Sequence, residues 1–103
     1  MNSNFVPLSA KELIAKINKI PKVNLALLPT VLEFAPNISK ELNINLYIKR
    51  DDCTALAFGG NKTRHLEFIM AKAISGDYDC ILTGASSQSN FCRQAVAAAN
   101  KLN

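Results

Sequence analysis

The sequence contains no tryptophan, a single histidine and only three cysteines, and these shortages exclude several kinds of site. Cys53, Cys80 and Cys92 are odd in number and widely spaced, so they predict neither a disulfide framework nor a CxxC metal pattern. One histidine also removes most of the ligand sets that zinc uses in proteins. We therefore expect a chain without a metal site, working in a reducing, cytoplasmic setting.

Long apolar runs and basic runs interleaved with aromatic residues are also missing. No stretch approaches the roughly 20 apolar residues of a transmembrane helix, and the N-terminal MNSNFVPLSAKELIAK has no apolar run of signal-peptide length. The formal net charge is +4, but the basic residues are scattered apart from a loose cluster at Lys11, Lys16, Lys19 and Lys22. That spacing is typical of the polar side of a helix. The sequence thus argues against membrane and nucleic-acid partners.

The first half of the sequence predicts one helix, an extended connector and a second, short helix. Of the 103 residues, 49% are hydrophobic and 19% charged, which is enough apolar material for a core. Ser9 and Glu12 form a capping-box pattern, so a helix is expected from residue 10 to Ile20. Two prolines break VNLALLPTVLEFAPN, which favours an extended connector. A short helix is predicted around SKELN.

The second half alternates predicted strands and helices. The alternating apolar residues of INLYIKR indicate a strand, and DDCTALAFGGN indicates a loop. Apolar residues recur at helical spacing from Lys62 to Ser75, and Gly76 marks the end of that helix. YDCILT is then predicted as a buried strand, GASSQSN as a turn and the alanine-rich FCRQAVAAANKLN as a helix.

This order predicts an α/β fold with a parallel sheet, and an incomplete one. Only about two sheet strands are legible, whereas parallel sheets normally have more strands and are covered on both faces. Ligands bind such sheets at the carboxyl ends of strands, against the starts of the following helices. Two loops satisfy that description: Gly59-Gly60-Asn61-Lys62 and the run from Ser86 to Asn90.

Lys62 is unusual because a helix start favours negative charge, not positive. A Walker phosphate loop is excluded, since that motif needs glycine directly before the lysine, and Asn61 stands there. A lysine amine can instead form a Schiff base with a carbonyl compound, which is the functional use open to Lys62. Spacing alone leaves open that Lys62 is an exposed lysine whose charge is simply tolerated.

Two long motifs carry a resemblance to a known family. YIKRDDCTALAFGGNKTRHLEF, followed by GASSQSNFCRQAVAAANKL, closely resembles the pyridoxal-phosphate (PLP) enzymes of the D-cysteine desulfhydrase and 1-aminocyclopropane-1-carboxylate (ACC) deaminase family. The resemblance extends from about Leu28 to Leu102 and includes LPTVLE. It implies the tryptophan-synthase β-like fold, PLP fold type II, of which residues 1–103 would be the N-terminal portion.

The resemblance assigns roles to residues of both loops. Lys62 matches the lysine that binds PLP as a Schiff base, Asn61 matches a neighbour that helps position PLP, and Asn90 matches a contact to the cofactor ring. Ser89 matches a serine that handles the substrate or its proton, and Gln88 begins the segment that matches the substrate-carboxylate site. Helix capping is the alternative role for Ser89 and Asn90, and it is compatible with ligand binding.

Three residues depart from the family pattern. His65 stands where a second lysine near the cofactor phosphate is usual, and its charge depends on pH. Phe91 replaces a common histidine, and Ala55 replaces a frequent glycine in the loop before Lys62. Two features of the family have no counterpart in this sequence. They are the glycine-rich loop that binds the PLP phosphate and the residue that binds the pyridine nitrogen of PLP.

The sequence leaves several functions open. The resemblance implies a PLP-dependent lyase that releases ammonia and a keto acid from a small amino acid, and KRDDCT favours the D-cysteine desulfhydrase type. ACC deaminase or a related sulfo-lyase is an alternative, and a non-catalytic truncated remnant is another. Residues 1–103 alone are expected to be inactive, and the full-length form is expected to be a homo-oligomer, namely a dimer.

Overall fold

The computed structural model describes residues 7–103, and residues 1–6, part of the stretch inspected for a signal peptide, lie outside the described residues. Two short 3-10 turns, Asp51–Cys53 and Leu56–Phe58, lie in the loop between the second strand and the third α-helix. The α-helices and strands follow in the order α1 (Ala10–Ile17), β1 (Leu32–Phe34), α2 (Pro36–Leu42), β2 (Tyr47–Lys49), α3 (Lys62–Ser75) and α4 (Asn90–Leu102).

Helix α1 begins with the predicted capping box. Ser9 Oγ accepts from the Glu12 backbone N–H at 3.3 Å, and the Ser9 backbone N–H donates to Glu12 Oε2 at 2.9 Å. The helix ends at Ile17, three residues earlier than predicted, because the chain tightens into a turn in which the Lys19 N–H bonds to Lys16 O. None of its residues is buried, so its position owes little to packing.

The only sheet among residues 7–103 is an antiparallel pair, not the predicted parallel sheet. Strand β1 pairs with β2 so that Glu33 faces Ile48, and the ring centroids of Phe34 and Tyr47 lie 5.2 Å apart. β1 lies within the segment predicted as a connector, and the last two residues of that segment, Pro36 and Asn37, begin helix α2. The chain between the strands reverses through α2, which begins at Pro36 and is followed by Asn43 in the left-handed conformation (φ 51°).

The prediction of a buried strand over YDCILT is wrong. Residues 78–83 are exposed and form no strand, and the Leu82 side chain is 94% accessible to solvent. Apolar, β-favouring residues become a strand only when a neighbouring strand supplies hydrogen bonds and a surface to pack against. No described segment pairs with residues 78–83 in this way.

The core lies between α3 and α4, and both helices match their predicted positions closely. Leu66 and Met70 of α3 pack against Ala95 and Ala98 of α4, with Leu25 of the connector completing the cluster. The alanines leave room for the two helices to approach closely. The chain is less compact than a typical domain of its length. Its radius of gyration is 17.6 Å, whereas a compact domain of this length has about 13 Å.

The α/β class is confirmed, with helices that meet directly and a short sheet beside them. Within residues 7–103, no helix has the length and apolar character required to cross a bilayer.

Candidate functional site

The loop before Lys62 depends on two glycines that no other residue could replace without rearrangement. Gly59 has φ +74°, and a Cβ there would lie 1.8 Å from the backbone oxygen of Asp52. Gly60 has φ +130°, and a Cβ there would lie 2.5 Å from Gln94 Nε2. L-residues with a side chain rarely adopt these conformations. The glycines therefore let the backbone fold tightly against its neighbours just before α3.

Asn61 and Lys62 form the entry to α3. Asn61 precedes the helix with φ −64° and ψ −18°, and its side chain makes no capping hydrogen bond, so the amide is free to meet a ligand. Lys62 is the first helical residue and is half-buried. Among residues 7–103 no salt bridge engages its ammonium group. The side chain is thus positioned by its backbone without being committed to a partner.

A buried polar network holds this loop against α4. Thr54 Oγ1 bonds to both backbone groups of Gly60, donating to its carbonyl and accepting from its N–H, each at 2.9 Å. Thr63 Oγ1 donates to Gln94 Oε1 at 2.7 Å, and Gln94 Nε2 donates to Gly59 O at 2.7 Å. The side chains of Thr54, Thr63 and Gln94 are fully buried. Buried polar groups that are satisfied in this way rigidify the segments that they join.

A second set of hydrogen bonds connects the same loop to the first turn of α3. Arg64 binds Asp51 through two parallel hydrogen bonds of 2.9 and 2.7 Å, and also donates to Thr30 Oγ1 at 3.1 Å. The Arg64 hydrogen bond holds the pKa of the Asp51 carboxyl below its ordinary value, although partial burial opposes this. The start of the loop at Asp51 is therefore attached to α3, and its end at Gly59 is attached to α4 through Gln94.

The second loop leads into α4 through a serine cap. Ser89 Oγ accepts from the Cys92 backbone N–H at 3.2 Å, which confirms the capping role. Gln88 and Asn90 are exposed, and Asn90 Oδ1 accepts from Arg93 Nη2 at 3.1 Å. The backbone N–H groups of Asn90 and Phe91 donate to no described residue. They offer two directed donors at a helix N-terminus, where a carboxylate is favoured.

Close to this cap, Cys92 Sγ lies 3.6 Å from Thr83 Oγ1. Hydrogen bonding from Thr83, and then from Ser89, lowers the pKa of the Cys92 thiol.

The structure brings the first turn of α4, which follows the second predicted loop, against the first predicted loop. Arg93 Nη2 donates to Gly59 O at 3.4 Å, and the Arg93 guanidinium lies 5.9 Å from the centre of the Phe58 ring. With the Gln94 bond to the same carbonyl, the first turn of α4 contacts the loop that carries Lys62. His65 is exposed on α3, one turn after that loop. The roles assigned to Asn61, Lys62, His65, Gln88, Ser89 and Asn90 remain predictions.

Sequence reasoning missed the residues that support the site, chiefly Thr54, Thr63 and Gln94. For Gln94 a signal was available, because it falls on the apolar face of α4. Phe91, Ala95, Ala98 and Leu102 recur at helical spacing and pack in the core, and Gln94 lies among them. A polar residue at a core position needs a partner.

The residues present fit PLP. They supply a lysine outside any described salt bridge, a tightly folded glycine pair directly before it, and an asparagine amide that makes no capping hydrogen bond. Within the described part of the chain, no group of three or more histidine, cysteine or acidic side chains is arranged to hold a metal ion.

The sequence model of a family described as "Pyridoxal-phosphate dependent enzyme" matches residues 23–103. D-cysteine desulfhydrase of Salmonella paratyphi C (strain RKS4594) is 45% identical over 86 residues, which are 84% of this chain and 26% of that protein. The desulfhydrase of Salmonella paratyphi B (strain ATCC BAA-1250 / SPB7) is 44% identical over the same shares.

A crystal structure of an ACC deaminase homologue superposes on this chain with a TM-score of 0.83 and 39% identity, covering 92% of this chain and 29% of that one. The chain thus spans about a quarter of the length of the curated relatives that it matches. The predicted α/β fold of a PLP fold type II enzyme is confirmed in the portion that the chain covers. The chain belongs to the family of pyridoxal-phosphate-dependent enzymes.

Proposed function

We propose that the chain supplies the lysine and the substrate-carboxylate site of a PLP-dependent lyase of the D-cysteine desulfhydrase type. The observation that carries this proposal is the contact between the first turn of α4 and the loop that carries Lys62. Gln94 and Arg93 of α4 both donate to Gly59 O, so the helix start that would receive a carboxylate lies against the loop that carries Lys62. A small amino acid would meet both loops at once.

The residues divide the work of such a site. Lys62 Nζ would hold PLP covalently, and Asn61, His65 and Asn90 would contact it from the flanking surfaces. When bound, PLP supplies an electron sink for the carbon that loses its proton. Gln88, Ser89 and Asn90, with the free N–H groups at the start of α4, would orient the substrate carboxylate.

Ser89 retains the capacity to handle a proton. A hydroxyl has one proton to donate and two lone pairs that accept. The cap of α4 uses one lone pair, for the Cys92 N–H. The second lone pair remains for the substrate, and the Ser89 O–H proton would turn from the Cys92 thiol to the substrate, so capping and proton handling are compatible in one side chain.

ACC deamination is the second candidate, because the superposed structure is an ACC deaminase homologue. Both reactions begin with a small amino acid and end with ammonia and a keto acid. D-cysteine and water would give pyruvate, sulfide and ammonia, whereas ACC and water would give 2-oxobutyrate and ammonia. Sulfide release therefore separates the two candidates directly.

The decisive assay uses the protein expressed from its own gene, loaded with PLP and offered D-cysteine or ACC in parallel. We expect equal amounts of pyruvate, sulfide and ammonia from D-cysteine, and no release in the Lys62→Ala variant. Release of 2-oxobutyrate from ACC, with no product from D-cysteine, would show that the activity is ACC deamination and not D-cysteine desulfhydration. No product from either substrate would reject the proposed activity.

The proposal includes a cytoplasmic location and a homodimer for the full-length protein, both of which rest on the sequence and on the family resemblance. Residues 1–103 in isolation are expected to show no turnover. Most of the length of the desulfhydrase relatives has no counterpart in this chain, and PLP enzymes need the phosphate and ring nitrogen of the cofactor held as well as its carbonyl carbon.

A further inference from the structure

We propose that Gln94 is a positioning residue that fixes Lys62 by holding the chain on both sides of it. Its amide bonds to Gly59 O, three residues before Lys62, and to Thr63 Oγ1, directly after Lys62. Both bonds are 2.7 Å long, and the Gln94 side chain is fully buried. The proposal rests on the proposed function, since it assigns Gln94 a role only if Lys62 holds PLP.

The donors and acceptors of the bridge from Gly59 through Gln94 to Thr63 allow only one orientation of the Gln94 amide. Gly59 O can only accept, so the Gln94 group beside it must be the Nε2 amide, and Oε1 must face Thr63. Oε1 can only accept, so Thr63 spends its single hydroxyl proton there. Thr54 spends its own proton on Gly60 O at 2.9 Å. Neither hydroxyl then has a proton left to donate across the longer contact of 3.3 Å between Thr54 Oγ1 and Thr63 Oγ1.

The bridge and the glycine pair require one another. The Gln94 amide lies where a Cβ on residue 60 would be, at 2.5 Å, so only glycine lets the glutamine reach the loop. In return, Gln94 satisfies the Gly59 carbonyl, which is otherwise reached only by Arg93 at 3.4 Å. Replacing Gln94 removes the acceptor of the buried Thr63 hydroxyl and leaves it only the longer contact of 3.3 Å to Thr54 Oγ1. The first turn of α3 would then shift to satisfy it, and Lys62 would shift with it.

The test is Gln94→Met, which keeps the length of the side chain and removes both hydrogen bonds. In the protein expressed from its own gene, we expect the dissociation constant for PLP, read from its visible absorption on titration, to rise by about tenfold. Turnover per PLP-loaded site should fall on the order of 100-fold, as expected for a displaced reacting group. Ser39→Ala is the matched control.

Ser39 is buried and accepts from the Leu46 N–H at 2.9 Å, in α2 and away from both loops. Its loss should lower the melting temperature without changing the affinity for PLP. Equal PLP affinity and turnover in Gln94→Met and in wild type, with only a lower melting temperature, would overturn the proposal and leave Gln94 as a structural residue.

Thr63→Val breaks the same bridge from its other end and serves if Gln94→Met does not fold. We expect the same loss of PLP affinity in Thr63→Val and near-normal affinity in Thr63→Ser. Where Gln94→Met folds, its combination with Thr63→Val should show little further loss. Normal affinity in Thr63→Val would contradict the proposal. Failure of the proposed function has a different signature, namely wild-type protein without a PLP band or a Lys62→Ala variant that retains it.

Discussion

The buried carboxylate of Glu67 accepts a hydrogen bond from the backbone N–H of Leu25 at 3.0 Å, across 42 residues of sequence. The N–H of Ala26 donates to the same oxygen at 3.0 Å, and Lys22 pairs with the other at 3.1 Å. Glu67 thereby fixes the connector to α3, one helical turn beyond Lys62 and its neighbours. Burial raises the pKa of Glu67, but these three donors together outweigh it and hold the pKa below its ordinary 4.5.

The lowered pKa of Glu67 predicts that the unfolding free energy depends on pH. A carboxyl with a lowered folded-state pKa stabilises the fold above its unfolded pKa, and that stabilisation is lost as pH falls through the folded value. We expect Glu67→Gln to cost about 1–2 kcal/mol of unfolding free energy near neutral pH, because hydrogen bonds to a charged acceptor become neutral ones. The difference from wild type should shrink as pH falls below 4.5.

Urea titrations at neutral and acidic pH measure this difference, and Glu41→Gln is the control because Glu41 is exposed. A constant gap between Glu67→Gln and wild type across the acid range would show that the Glu67 charge does not support the fold.

Ala55 carries backbone strain where the resembling family often has glycine. Its φ is +71° and its side chain is exposed, so the methyl group costs strain and gains no packing. We expect Ala55→Gly to raise the unfolding free energy by about 1 kcal/mol, the relief of strain exceeding the added flexibility of the unfolded chain.

The half-buried Ala97 lies in α4, which packs against α3, and provides the matched control, since Ala97→Gly should lower the unfolding free energy by about 1 kcal/mol. Denaturation midpoints of the two variants should therefore move in opposite directions. A loss of stability in both would mean that residue 55 is not strained.

Ser89 tests whether a helix cap also takes part in the reaction. Ser89→Ala should remove about 1 kcal/mol of stability through the lost cap. If the hydroxyl also moves a proton, turnover per PLP-loaded site should fall by about 10²–10⁴-fold while PLP remains bound. Ser9→Ala is the matched control, because Ser9 caps α1 with the same type of bond. A destabilised but fully active Ser89→Ala protein would reduce Ser89 to a cap.

The features predicted correctly from sequence are set by neighbouring residues. The helix from Lys62 to Ser75 was predicted at its observed bounds, because the glycines before it and Gly76 after it act locally. The capping box of Ser9 and Glu12 was predicted for the same reason. The end of α1 was misplaced because no packing holds its last turn.

The features missed depend on distant partners. Strand β1 exists through its pairing with β2, and the strand predicted over residues 78–83 has no described partner to pair with. The hydrogen bond from Gln94 to Gly59 joins residues that are 35 positions apart, so no local sequence pattern identifies Gly59 as the partner of Gln94. The sequence motifs indicated which loops bear the chemistry, but not which side chains hold those loops together.

Lys62, held between the glycine loop and α4, is the residue that we propose binds PLP. Lys72 lies on the same helix in its last turn and is exposed, so Lys72→Ala is the matched control. The direct measurement is the visible absorption of the PLP-loaded protein, before and after borohydride reduction and peptide mapping. We predict that Lys62→Ala abolishes the band and the mapped adduct while Lys72→Ala retains both. An unchanged band in Lys62→Ala, with the adduct mapped to another lysine, would contradict the account.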